Sequence, residues 1–166
     1  MKYNCSEDTT MILVKSEMSL IEIEVDIINS DPYFNLISKG KNRMTKEEVL
    51  YEIAESNEIG AERYLLRDGN KYIGIVEYLM RNPNDGYAWL GLLLIKKEYQ
   101  AKGFGLKALT MFYDIMKSRD VDIFRIGVIK ENDPAHSFWK SQGFVYKSSA
   151  IYKDDKIIFI YEKTLF

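Results

Sequence analysis

The spacing of apolar positions changes several times along the chain, and each change marks an element. Met11 to Lys15 is a short apolar run that predicts a first strand. Ser19 to Ile28 mixes apolar and acidic positions and reads as helical at least in part. Asn29 to Asn35 is turn-like at its start, with Asp31-Pro32, and aromatic at its end. Thr45 followed by Glu48 has the spacing of a capping box, and Val49, Leu50 and Ile53 supply the apolar stripe of the helix behind it. A hairpin follows, with strands Arg63 to Arg67 and Lys71 to Met80 about the turn signal Asp68-Gly69. After a second turn at Arg81 to Gly86, Tyr87 to Ile95 is the most apolar strand and belongs at the centre of a sheet. Leu106 to Lys117 is a helix with Leu106, Leu109, Phe112, Tyr113 and Met116 on one side. Asp122 to Val128 reads as a strand, and Asp133 to Ser141 as a short helix with Pro134 in its first turn. Phe144 to Tyr152 and Lys156 to Leu165 form a last hairpin around Asp154-Asp155. Hairpins and crossovers in one chain predict an α/β (α+β) fold: a mixed sheet with helices on its faces, in one domain over residues 1–166.

Composition narrows the chemistry. Hydrophobic residues make up 46% and charged residues 29%, an ordinary globular balance. Lys plus Arg is 23 against 25 for Asp plus Glu, a formal net charge of −2, so nothing points to a nucleic-acid partner. Cys5 is the only cysteine and His136 the only histidine, which rules out an intrachain disulfide and leaves no typical zinc site. Cys5 has no nearby His and reads as a bystander. No G-x-S-x-G elbow exists to partner His136. Met1 to Asp8 lacks the apolar core of a signal peptide, and no apolar run is long enough to span a bilayer. We therefore expect a cytoplasmic protein with no membrane partner and no metal.

The informative stretch lies behind the most apolar strand: Ile95-Lys96-Lys97-Glu98-Tyr99-Gln100-Ala101-Lys102-Gly103-Phe104-Gly105-Leu106-Lys107. Glycines at a helix entry suit an anion, because the first N–H groups of a helix have no internal partner and the helix dipole favours negative charge there. Gly103 and Gly105 let a phosphate approach the backbone, and Lys102 and Lys107 add positive charge. Taken alone, such glycines can equally serve only a tight turn. Gly103 to Ala108 matches G-x-G-x-x-A literally, but it lies too far behind its strand, with too little chain after it, for a dinucleotide fold. The Walker pattern is absent.

Gln100-Ala101-Lys102-Gly103-Phe104-Gly105 resembles the acetyl-CoA signature [QR]-x-x-G-x-[GA] of the GNAT acetyltransferases, with Lys97 at a place where Pro is common. Glu131 to Phe144, with Asn132, Ala135, Phe138, Trp139 and Gly143, resembles a second segment of that family, in the expected order. The resemblance implies a mostly antiparallel twisted sheet of six to seven strands, splayed centrally. It implies acetyl-CoA as cosubstrate, its arm beside Leu93, Leu94 and Ile95 and its diphosphate on the amides of Gln100, Ala101, Lys102, Gly103, Phe104, Gly105 and Leu106. Asn132 matches a residue that bonds the arm or an ordered water in the catalytic centre. Phe138 and Trp139 would flank the thiol end, and Lys140 would reach the phosphates. Trp139 stands where Tyr is usual, and indole supplies no proton to a departing thiolate.

For the general base, Glu77 on the long strand is the leading candidate, with a solvated strand residue as the equal alternative. Tyr33, Phe34 and Tyr78 are expected to line the acceptor site for a cationic amine. The implied activity is acetyl transfer to a primary amine: a polyamine, an aminoglycoside, an amino acid or a protein N-terminus. The alternative is a non-catalytic acyl-CoA-binding module. The apolar terminal strand Lys156 to Phe166 offers a surface for a homodimer.

Overall fold

The computed structural model describes residues 10–166. Cys5 lies outside them. The chain runs β1 (Met11–Lys15), α1 (Ile21–Asn29), α2 (Pro32–Lys39), α3 (Lys46–Glu58), β2 (Glu62–Asp68), β3 (Lys71–Leu79), β4 (Ala88–Ile95), α4 (Phe104–Ser118), β5 (Ile123–Ile129), α5 (Asp133–Ser141), β6 (Val145–Ile151) and β7 (Ile157–Thr164). The strands form one sheet in the order β1-β2-β3-β4-β5-β7-β6. Every neighbouring pair is antiparallel except β4 with β5.

Helices cover both faces. On one face Leu65, Ile75 and Leu94 pack with Ile21, Ile27, Ile28 and Val49 from α1 and α3. On the other, Val76, Tyr78, Leu90 and Ile126 pack with Leu109, Phe112 and Met116 from α4. Leu106 does not join that stripe. It sits in the first turn of α4, which begins at Phe104, and is exposed.

The capping box forms as expected: Thr45 accepts from the Glu48 N–H, and Glu48 accepts from the Thr45 N–H at 2.8 Å. The segment expected as a turn is a helix instead. Asp31 accepts from the Phe34 N–H at 3.2 Å, Pro32 fills the first helical position, and Gly40 closes α2 in the left-handed conformation (φ 74°). Asp-Pro thus acts here as a start signal.

The terminal strand also differs from expectation. β7 lies between β5 and β6, so its edges are already paired and it has none left for a second copy. Among the described residues no helix is long and apolar enough to cross a membrane.

Candidate active site

β4 has two unlike edges. Against β3 it pairs from Trp89 to Ile95, interrupted by one bulge at Gly91, where Glu77 faces Leu92 and Tyr78 faces Leu90. Against β5 it pairs only at Ala88↔Phe124 and Trp89↔Arg125. Beyond Trp89 the parallel strands separate, and the β5-facing edge of Leu90 to Ile95 has no strand partner. Gly91 is exposed although it lies in the middle strand of the sheet, and Leu92 and Leu93 are only partly buried. The most apolar strand therefore lines an open slot.

The closed end of the slot is clamped by charge. Asp85 accepts from Trp89 Nε1 at 2.9 Å and pairs with Arg125 at 3.3 Å, and Arg125 pairs with Glu162 at 3.0 Å. The Arg125 guanidinium also lies 3.8 Å from the Tyr87 ring centre. A Cβ at Gly127 would stand 3.4 Å from Trp89, so the glycine gives the indole room beside the apex.

The open end leads to a backbone cradle. Ala101 (φ 59°) and Gly103 (φ 84°) are left-handed, the pattern that makes anion-binding concavities. The amides of Ala101, Lys102, Gly103, Phe104, Gly105 and Leu106 donate to no protein acceptor among the described residues, and hydrogen bonding resumes at Lys107, which donates to Gly103 O at 3.1 Å. Lys96 is committed to Asp26 and Glu98. Lys102 and Lys107 instead lie over the Tyr99 and Phe104 rings, at 5.9 and 5.8 Å, and form no ion pair among the described residues. Six open amides with two uncommitted cations suit a diphosphate.

Gln100 is a correction to the expected cradle. Its amide already donates to Lys97 O at 3.2 Å. Its side chain donates to Ile95 O at 2.9 Å and Asp31 Oδ2 at 3.0 Å, so it braces the loop rather than lining it. The Ile95 carbonyl is likewise engaged.

On the β5 side, Asn132 caps α5, its Oδ1 accepting from the Ala135 N–H at 3.4 Å, while its Nδ2 has no protein acceptor among the described residues. Phe138 and Trp139 meet edge to face at 5.0 Å, and Trp139 meets Phe144 in the same way at 5.0 Å, which puts the indole against the core. Lys140 is exposed.

Glu77 does not face the slot as a free carboxylate. Its oxygens accept from Ser56 Oγ at 2.9 Å and Arg63 Nη1 at 3.0 Å, and Arg63 also binds the buried Glu24 at 2.8 Å. The general-base assignment therefore gives way to a structural one, an ion-pair network beneath α1 and α3. Tyr78 is corrected as well. It is 1% exposed, packed between Tyr64 and Phe112, and burial pushes its hydroxyl well above the usual tyrosine range. It cannot touch a substrate. Tyr33 is exposed on α2, whereas Phe34 packs into the core of the α1–α3 face.

Residues 28–144 match the acetyltransferase (GNAT) family. The chain belongs to the GNAT acetyltransferase family. A search of curated proteins found no match. Among solved structures, an acetyltransferase from Thermus thermophilus is 25% identical over 93% of this chain and 97% of its own, with a TM-score of 0.78. The Salmonella typhimurium acetyltransferase that modifies the N-terminal serine of ribosomal protein L7/L12 is 16% identical over 94% and 95%, with a TM-score of 0.75. Spermidine N-acetyltransferase from Vibrio cholerae, solved with CoA and spermine, is 17% identical over 93% and 95%, with a TM-score of 0.70.

The second segment also holds a histidine to which the resemblance gave no role. His136 is buried: Nε2 faces the carbonyls of Ile129 and Lys130 at 3.1 and 3.0 Å, and Nδ1 faces Tyr161 Oη at 2.6 Å. These contacts tie α5 to the end of β5 and to β7. The bulge at Gly91 did have a sequence signal, a glycine inside an otherwise unbroken apolar strand.

Proposed function

We propose that this GNAT enzyme transfers an acetyl group from acetyl-CoA to a primary amine, by direct attack while both substrates are bound. The observation that carries the reading is the run of six acceptor-less amides, Ala101 to Leu106, at the mouth of the β4–β5 slot.

The chain's own groups fit such a donor. The cradle amides hold the diphosphate, with Lys102 and Lys107 screening its charge. The unpaired edge from Leu90 to Leu93 offers backbone partners to an amide-bearing arm. Asn132 Nδ2 supplies a donor from the opposite wall, and Phe138 and Trp139 shield the thiol end. Acetyl-CoA supplies the acetyl group as a thioester. A backbone N–H of β4 near the bulge steadies the oxyanion formed on attack, a contribution of about 3 kcal/mol where such a donor is preorganised. Thiolate is a tolerable leaving group, since a free thiol has a pKa of about 8.5, so Trp139 need supply no proton. With Glu77 engaged elsewhere, the amine's proton leaves to water through the opening at Gly91.

The acceptor enters between α2 and the β6–β7 hairpin, where Tyr33 is exposed. The activities named for the Salmonella and Vibrio neighbours favour a polyamine or a protein N-terminus among the amines considered. The test follows CoA release with a panel of spermidine, an aminoglycoside, free amino acids and a Ser-initiated peptide. Turnover on one of them supports the reading. CoA binding without turnover on any amine would favour a binding module instead.

A further inference from the structure

α2 lies as a bar across the mouth of the slot and is fastened at both ends. At its start, the Lys97 N–H donates to Ser30 Oγ at 2.9 Å, and Gln100 Nε2 donates to Asp31 Oδ2 at 3.0 Å. Asp31 is 7% exposed, and its other oxygen caps α2 through the Phe34 N–H. Ser30 is fixed in turn by donating to Ile27 O at 2.6 Å. Towards its far end, Lys156 Nζ donates to Ile37 O at 2.9 Å. Lys156 immediately precedes β7, whose start lies beside the end of β5 through Ile158↔Ile129. The bar therefore runs from the end of β4 to the end of β5, the two walls of the slot.

Both fastenings at the start of α2 come from the four residues that lead into the cradle. Lys97 opens a single 3-10 turn, Lys97–Tyr99, a position where the backbone N–H has no helical partner. Its donation to Ser30 is therefore a choice this sequence makes. A proline there, the common residue in the pattern this segment resembles, has no N–H to give.

We propose that Lys97 and Gln100 are positioning residues that transmit occupancy of the cradle to α2, so that loading the donor orders the acceptor side of the cleft. The inference rests on the reading of the cradle as the CoA diphosphate site. Filling the six amides fixes the segment behind them, and two hydrogen bonds hand that order to the first turn of α2. One of these bonds is partly buried and ends on a carboxylate, the stronger kind. The start of α2 is then less ordered in the empty protein than in the loaded one, and an amine binds better after acetyl-CoA than before it.

The test is hydrogen–deuterium exchange of the peptide covering residues 31–40, with and without saturating CoA, in the wild type and three variants. Lys97→Pro removes one N–H at a position that tolerates proline, and Lys97→Ala removes the charge while keeping the N–H. Asp31→Asn keeps the capping oxygen and turns the acceptor for Gln100 into a donor. CoA should slow α2 exchange roughly tenfold in the wild type and in Lys97→Ala. That slowing should shrink severalfold in Lys97→Pro and in Asp31→Asn, although calorimetry still shows CoA bound. A variant that merely loosened α2 would speed exchange equally in the free and bound states, leaving the ratio intact, and that result would overturn the proposal. So would a wild type that binds CoA with no change in α2. Failure of the wild type to bind CoA at all would instead remove the cradle reading underneath. The two variants break different bonds, so either one carries the test if the other does not fold.

Discussion

The two edges of β4 carry the same residues to opposite ends. The edge against β3 is paired from Trp89 to Ile95 but for the bulge at Gly91, and there a Cβ on Gly74 would stand 2.5 Å from Leu94 O. The edge against β5 is closed for two residue pairs and then left open, and Gly91 beside it has space, with its nearest neighbour, Glu77 O, at 3.6 Å from a Cβ. A central strand normally satisfies its backbone on both sides, because a buried unpaired amide or carbonyl is costly. One edge holds the fold together. The other keeps its backbone groups available for an arm that arrives later.

The comparison can be broken at four places. The largest effect is expected at the cradle. Gly103→Asp should weaken CoA binding roughly thousandfold, about 4 kcal/mol, by placing a carboxylate where the phosphate sits and a side chain at a left-handed position. Gly103→Ala keeps only the backbone strain and should cost about tenfold. Calorimetric titration with CoA separates the two, and equal affinities would displace the cradle. Next is the paired edge. Gly74→Ala should lower unfolding stability by about 3 kcal/mol, whereas Gly91→Ala should cost less than about 1 kcal/mol. Urea unfolding reads both, and a reversed order would contradict the account of the two edges.

A smaller loss is expected at the apex. Arg125→Ala removes a half-buried cation from between Asp85 and Glu162 and should cost about 2 kcal/mol, seen as a lower Tm. The smallest effect belongs to Tyr113. Its hydroxyl is buried without a partner, and burial pushes it up to about 12. The unfolded chain therefore gives up this proton first as pH rises. The stability tied to it is intact below about pH 10 and is lost towards pH 12. Tyr113→Phe should flatten that alkaline decline and gain up to about 1 kcal/mol at neutral pH. An unchanged alkaline slope would remove Tyr113 as its source.

Local signals in the chain proved dependable where one residue type has one use. Thr45 and Glu48 form the box their spacing implied, and Gly103 takes the left-handed N-cap position of α4. Signals with two uses were not dependable. Asp31-Pro32 starts a helix where a turn was expected, because the same pair serves both. Glu77 and Tyr78 keep the alternation of β3, since the extra residue of the bulge, Gly91, is on β4; what no alternation reveals is that Ser56 and Arg63 stand against Glu77 and that Phe112 covers Tyr78. Gln100 carries the motif's first position, yet its amide is spent inside its own turn and its side chain reaches a residue far away in sequence. No local pattern encodes such a bond.

The clamp at the closed end of the slot sets a further limit. Because Trp89 and Arg125 stop the separation of the strands at one fixed point, the slot has a floor. Under the proposed function, the distance from the cradle to that floor works as a gauge of donor length. Acetyl-CoA would reach it with its reactive carbon beside the Gly91 opening, while a longer acyl chain would run into the indole and be held short. Turnover of acetyl-, butyryl- and hexanoyl-CoA on one amine reads the gauge directly, and equal rates for all three would mean that the floor yields.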